Sequence, residues 1–237
     1  MSDSRLTIQQ VADYLRIEQI QVSRLVRQGD IPFSGTTDKP AFSREEIEAW
    51  ASRRILGMTE KKLENYHTES EIPRKNAVDD FSVCDIISED LIVLDLASKT
   101  KASVLQDVTD IADQAGLLYN PHDLLESLKA REELCSTGLE NGVAILHPRF
   151  HDPYLAADSF MIFARAVRPV FFGAPDGKPT DLFFVLVCQD DRRHLRSLTH
   201  LCLMFTKTAV LDELRAAETP AEILASLRAA ERQIDRK

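Results

Sequence analysis

The chain has no Cys-x-x-Cys pair; its four cysteines, Cys84, Cys135, Cys188 and Cys202, are scattered over 237 residues. This spacing excludes a zinc knuckle and offers no disulfide framework, and each cysteine lies in or beside an apolar stretch, where buried thiols are expected. Long hydrophobic runs are also missing. The longest, such as DLFFVLVC from Asp181 to Cys188, are strand-sized and far too short to span a bilayer, so no membrane insertion is expected. The N-terminal MSDSRLTIQQ lacks the basic start and apolar core of a signal peptide, which predicts a cytoplasmic protein. Internal repeats, low-complexity tracts and sustained heptads are absent, which excludes solenoids and long coiled coils. Basic residues are in deficit: 29 Lys and Arg stand against 38 Asp and Glu, a net charge of -9. That balance argues against a surface coated in basic patches for nucleic acid, while leaving room for one small DNA-contacting face.

What is present is ordinary globular composition, 44% hydrophobic and 28% charged, with enough length for two modest cores. The stretch from Ile55 to Asp80, ILGMTEKKLENYHTESEIPRKNAVDD, is polar and lacks sustained apolar periodicity. We therefore expect a domain over residues 1–55, a linker over 56–80 and a second domain over 81–237.

In the first part, Thr7 and Gln10 form a capping-box pattern ahead of Ile8, Val11 and Leu15, predicting a helix over residues 8–15. A second helix follows in QIQVSRLVRQGDIPF, with Val22, Leu25 and Val26 facing inward and Gln21, Arg24, Arg27 and Gln28 on the other face, stopped by Gly29. Turn formers in DIPFSGTTDKPAF suit a short hairpin or wing, and Ser43 with Glu46 then introduces a third helix in REEIEAWASRRI. The segments LTIQQVADYLRIEQIQVSRLVRQGDIP and FSREEIEAW resemble a winged helix-turn-helix of the MerR and excisionase type. The resemblance implies a small all-α winged domain whose second helix presents Gln21, Arg24, Arg27 and Gln28 to the DNA major groove. Protein docking is the competing use: the wing carries only Lys39 as a basic residue, and eight Lys or Arg balance eight Asp or Glu over residues 1–55.

The second part alternates helical and strand patterns. VLQDVTDIADQAGLL ends at Gly116 as a helix, Asn120 and Pro121 open another in HDLLESLKAREE, and GVAIL, SFMIFARA and DLFFVLVC read as strands. Asp190 can cap RRHLRSLTHLCLMF, and Thr219, Pro220 and Glu222 open a final helix. The alternation predicts an α/β sandwich with a central sheet flanked by helices.

The segments LLESLKAREELCSTGLENGVAILHPR, DGKPTDLFFVLVC and HLRSLTHLCLMF, in that order, resemble the type-2 EIIA domain of the bacterial phosphotransferase system, of the nitrogen-regulatory and fructose branch. The similarity runs from about Cys84 to Arg232. It implies a mixed central sheet and a phosphoacceptor at His147, which would receive a phosphoryl group from the HPr-like carrier protein. It also implies support from His194 through hydrogen bonding and from Arg131 through charge. Where the family pattern has a glycine after the histidine, this chain has Pro148, which removes a backbone N–H; Arg149 is a candidate to replace it electrostatically. His147 and His151 are four apart, but Pro148 between them argues against a helical metal pair, and no metal or cofactor is expected. The resulting expectation is a regulator that couples phosphorylation of His147 to DNA binding. The alternatives are a carrier feeding a sugar permease, and a binding module that senses without phosphorylation. Regulatory protein partners and a homodimer on paired DNA half-sites are compatible with it.

Overall fold

The structure, a computed structural model, describes residues 5–71, 82–149 and 154–235. The chain divides into two compact units, Met1–Asp79 and Asp80–Lys237.

In the first unit, β1 (Arg5–Leu6) leads into α1 (Ile8–Leu15) through the expected reciprocal cap. The Gln10 N–H donates to Thr7 Oγ1 at 3.3 Å and the Thr7 N–H to Gln10 Oε1 at 2.8 Å. Helix α2 (Gln19–Gln28) ends at Gly29, whose φ of 70° is the left-handed conformation that glycine adopts without steric cost. The wing is β2 (Ser34–Thr36) and β3 (Lys39–Ser43), and β3 also pairs with β1, so the sheet order is β1-β3-β2, antiparallel throughout. Helix α3 (Arg44–Leu56) follows directly; Ser43 holds its N-cap position but makes no side-chain cap hydrogen bond, so the expected Ser43–Glu46 box does not form. Val11, Val22, Phe42 and Ile47 are fully buried and tie α1, α2, the wing and α3 into one core.

The stretch read as a linker is not all linker. Residues Glu60–Glu71 form a helix, α4, with Leu63 buried and the Tyr66 hydroxyl donating to the Leu15 carbonyl at the end of α1, at 3.2 Å. Leu63 and Tyr66 are the apolar positions that contribute to this docking. Two apolar positions one turn apart are too few to register as helical periodicity. The rest of the expected linker, residues 72–80, lies outside the described residues.

The second unit contains β4 (Ile92–Leu96), α5 (Lys101–Gln114), α6 (Pro121–Leu134), β5 (Val143–Leu146), β6 (Phe160–Val170), β7 (Thr180–Val187), α7 (Asp191–Lys207), α8 (Val210–Ala216) and α9 (Pro220–Asp235). The sheet order is β4-β6-β7-β5, with β6 antiparallel to β7 and the outer strands parallel to their neighbours, a mixed sheet. β4 is an addition to the three strands expected. It is an edge strand with Ile92 and Leu96 buried and Asp95 exposed, and its short apolar run, Leu91–Leu94, cannot be told from a helix segment by periodicity alone. β7 and the first seven residues of β6 are buried almost continuously, as strands covered on both faces must be, and Phe184 packs edge-on to Phe163 at 5.2 Å and against Phe205 of α7 at 5.0 Å. β5 is the other edge. Its outer side is covered by residues 137–139, through Ile145 N–H to the Thr137 carbonyl (3.2 Å) and Leu139 N–H to the Val143 carbonyl (2.8 Å).

The start of this unit is clamped to its last helix by one buried carboxylate. Glu231 of α9 accepts the Val83 N–H at 2.7 Å and the Ser82 hydroxyl, and His200 Nδ1 of α7 lies 3.5 Å from it. Burial alone would raise the carboxyl pKa, but hydrogen bonds from His200, Ser82, Cys84 and the Val83 N–H outweigh it and pull the pKa down to about 2. A carboxylate with a depressed folded pKa stabilises fully above its ordinary value of 4.5, and this contribution is lost as pH falls toward 2. Glu231→Gln should flatten the acid limb of a stability-versus-pH curve between those values. It should also lower stability at neutral pH by about 2–4 kcal/mol, read by urea unfolding.

Candidate functional site

His147 follows the last residue of β5, where the strand leaves the sheet, and is only 2% exposed. Both ring nitrogens are occupied. Nδ1 lies 2.9 Å from the Ile145 carbonyl, which can only accept, so Nδ1 carries the proton. Nε2 accepts a hydrogen bond from Arg131 Nε at 3.0 Å. The ring is thereby held neutral, in one tautomer, with its single lone pair on Nε2.

Arg131 lies in the last turn of α6 and is itself buried; its Nη1 donates to the Cys135 carbonyl at 2.8 Å, which holds the guanidinium plane. One turn earlier on the same helix, the Ser127 hydroxyl accepts the Arg149 backbone N–H at 2.9 Å. Arg149 thus anchors the chain after His147 by its main chain and is half-buried. Helix α6 therefore grips the histidine segment on both sides of Pro148. His194 enters from the first turn of α7, capped by Asp190, and is also buried; its ring centroid is 4.9 Å from that of His147, tilted by 50°. The four residues expected from sequence converge on one locus, built by the end of β5, α6 and the start of α7. His151 lies outside the described residues.

The recognition-helix residues of the first unit are divided. Arg24 and Arg27 are exposed, whereas the Gln21 side chain accepts the Glu18 N–H at 3.2 Å and so caps its own helix. Gln21, Arg24 and Gln28 border a hollow of about 460 Å³ between α2, α3 and α4, with Trp50 and Tyr66 on its other walls. Ile20, 72% exposed and seven residues before Arg27, shares the outward face with it; the sequence pattern did not single it out, because an isoleucine at helical spacing reads as core.

A family model described as phosphoenolpyruvate-dependent sugar phosphotransferase system, EIIA 2, matches residues 85–230. The chain belongs to this EIIA 2 family. A second model, a helix-turn-helix domain, matches residues 5–55. The chain is similar to the nitrogen regulatory protein of Pseudomonas aeruginosa, 33% identical over 122 residues, covering 51% of this chain and 77% of the relative. It is also similar to the nitrogen regulatory protein of Bradyrhizobium diazoefficiens, 30% identical over 148 residues, covering 61% and 94%. Among solved structures it resembles the nitrogen regulatory protein IIA-Ntr of Neisseria meningitidis, with a TM-score of 0.56 and 32% identity over 61% of this chain and 98% of that one. No helix among the described residues is long and apolar enough to cross a membrane.

Within this EIIA 2 domain the cysteines divide three to one. Burial pushes the Cys188 and Cys202 thiols up to about 12 and the Cys84 thiol higher still, while Cys135 is exposed, correcting the expectation of four buried thiols. Cys135 ends α6, and its carbonyl is the one that holds Arg131. A thiol reagent at pH 8 should label Cys135 alone in the folded protein and all four cysteines after unfolding, counted by intact mass.

Proposed function

We propose that the EIIA 2 domain accepts a phosphoryl group on Nε2 of His147 from an HPr-like phosphocarrier, and that its charge state regulates DNA binding by the helix-turn-helix domain. The observation that carries this reading is the double constraint on the ring: Nδ1–H on the Ile145 carbonyl and Nε2 facing Arg131. A neutral imidazole with one directed lone pair is a nucleophile near pH 7. In the transfer, Nε2 forms a bond to phosphorus as the carrier's nitrogen–phosphorus bond breaks, its electron pair returning to the carrier nitrogen. The proton stays on Nδ1, shared with the Ile145 carbonyl. Arg131 then exchanges its bond to Nε2 for bonds to the phosphoryl oxygens, a substitution a permanently charged fork makes without a proton transfer. His194, in the first turn of α7, stands where the helix's partial positive charge favours an incoming anion.

One observation favours a second reading, a domain that senses by binding without turnover. His147 is 2% exposed, its Nε2 is engaged by Arg131, and Pro148 offers no N–H to a phosphoryl oxygen. Incubation with phosphoenolpyruvate, Enzyme I and HPr, followed by intact-mass spectrometry at mildly basic pH, separates the two. Phosphoryl acceptance predicts one acid-labile adduct that is lost in His147→Ala. A charged HPr with no adduct on the wild-type chain would instead leave the sensing reading.

For the helix-turn-helix domain, Arg24 and Arg27 are the exposed cations of α2 and the side chains we assign to DNA. Arg24→Ala and Arg27→Ala should each weaken binding to a selected DNA site by about 1–3 kcal/mol, measured by fluorescence anisotropy. A loss uniform across sequences, with a shallower salt dependence, marks a phosphate contact, and relaxed specificity at one base pair marks base readout. Phosphorylation adds about 1.5–2 negative charges, sufficient to shift docking or DNA affinity.

A further inference from the structure

Next to Arg131 on α6 stands Glu132, a carboxylate that neither the phosphoryl chemistry nor the sequence pattern called on. It is buried, with a side chain 5% exposed, and each oxygen is committed. Oε1 takes the Lys101 ammonium at 2.7 Å, and Lys101 also lies over the Phe172 ring at 4.9 Å. Oε2 accepts both the Thr137 N–H at 2.9 Å and the Thr137 hydroxyl at 2.7 Å. A buried carboxylate is costly unless fully paired, and here the pairing is spent on one residue of a loop.

That loop residue is the one that holds the histidine strand. The Thr137 carbonyl accepts the Ile145 N–H at 3.2 Å along the outer edge of β5. In an extended strand the N–H and C=O of one residue point the same way, so the bond that holds the Ile145 N–H also orients the Ile145 carbonyl. This carbonyl receives the His147 Nδ1 proton at 2.9 Å. In the same loop, the Cys135 carbonyl holds Arg131 Nη1.

We propose that Glu132 is a positioning residue for His147, fixing its tautomer through Thr137 and the Ile145 backbone, with Lys101 as the cation that holds the Glu132 carboxylate in orientation. Glu132 touches neither the ring nor a phosphoryl group; it acts through the loop. The proposal deepens, and for its consequence in catalysis rests on, the reading of His147 as the phosphoacceptor.

The test uses the full-length, uniformly 15N-labelled chain. Long-range proton–nitrogen correlation spectra report which His147 nitrogen carries the proton in the neutral ring, with His147→Ala assigning the signals. Glu132→Ala, Thr137→Val and Thr137→Ser are compared with wild type, and transfer from phosphorylated HPr is timed on the same samples. The wild type is expected to show the Nδ1–H tautomer alone. Glu132→Ala and Thr137→Val should show a tautomer mixture and phosphoryl transfer slowed by about tenfold or more with an otherwise intact amide spectrum, while Thr137→Ser should behave as wild type. If Glu132→Ala does not fold, the Thr137 pair decides. A wild-type tautomer in folded Glu132→Ala or in Thr137→Val, or a Thr137→Ser variant as perturbed as Thr137→Val, overturns the proposal. Should the wild type take no phosphoryl group, the tautomer comparison still decides the role of Glu132, and the phosphoacceptor reading alone falls.

Discussion

The candidate site depends on a carbonyl at the end of an edge strand. Because the Ile145 carbonyl can only accept, the proton of His147 must sit on Nδ1, and the lone pair must then sit on Nε2, where Arg131 meets it. Reversing this tautomer would leave a carbonyl and an imidazole nitrogen facing each other as two acceptors, and Arg131 donating to an N–H. The hydrogen bonds around the ring are therefore mutually dependent. The covering of β5 by residues 137–139, the grip of α6 on both sides of Pro148 and the fixed plane of Arg131 all serve to keep that one carbonyl and that one ring in register.

This arrangement concentrates buried polar groups at one end of the sheet. His147, Arg131, His194 and Glu132 are each at least nine-tenths buried. Interiors tolerate such groups only when they are paired, and a half-satisfied network is worse than an apolar core. Glu231, a second buried carboxylate among the described residues of the domain, obeys the same rule for a different end: it fastens the residues at the start of the EIIA 2 unit to its last helix. One carboxylate orders a site and the other closes a domain.

Much of this was legible along the chain. The capping box of Thr7 and Gln10, the glycine stop at Gly29, the proline after the Asn120 cap and the Asp190 cap each produce a local hydrogen bond or backbone conformation that needs no distant partner. Three sheet strands showed as apolar runs because both faces of β7, of β5 and of the first part of β6 are covered. β4 did not show, since its apolar run is only four residues long, Leu91–Leu94, and a run that short does not by itself distinguish strand from helix. Helix α4 did not show, since Leu63 and Tyr66 are too few apolar positions to register a helical period. Gln21 looked like a base-reading residue from helical spacing alone, and spacing does not reveal that its amide turns back to the Glu18 N–H.

The sequence by itself determined the two domain types, the order of most elements and the candidate positions His147, His194, Arg131 and Arg149, because motif order and short-range capping are carried by neighbouring residues. Tertiary structure alone decided which nitrogen of His147 accepts the Arg131 hydrogen bond, that Arg149 contributes its main chain to Ser127, and that Glu132 reaches Thr137. Those outcomes depend on bond directions set by packing, whether across the 16 residues between Arg131 and His147 or the 5 between Glu132 and Thr137. No periodicity records an orientation of that kind; it exists only once the strand, helix and loop have packed.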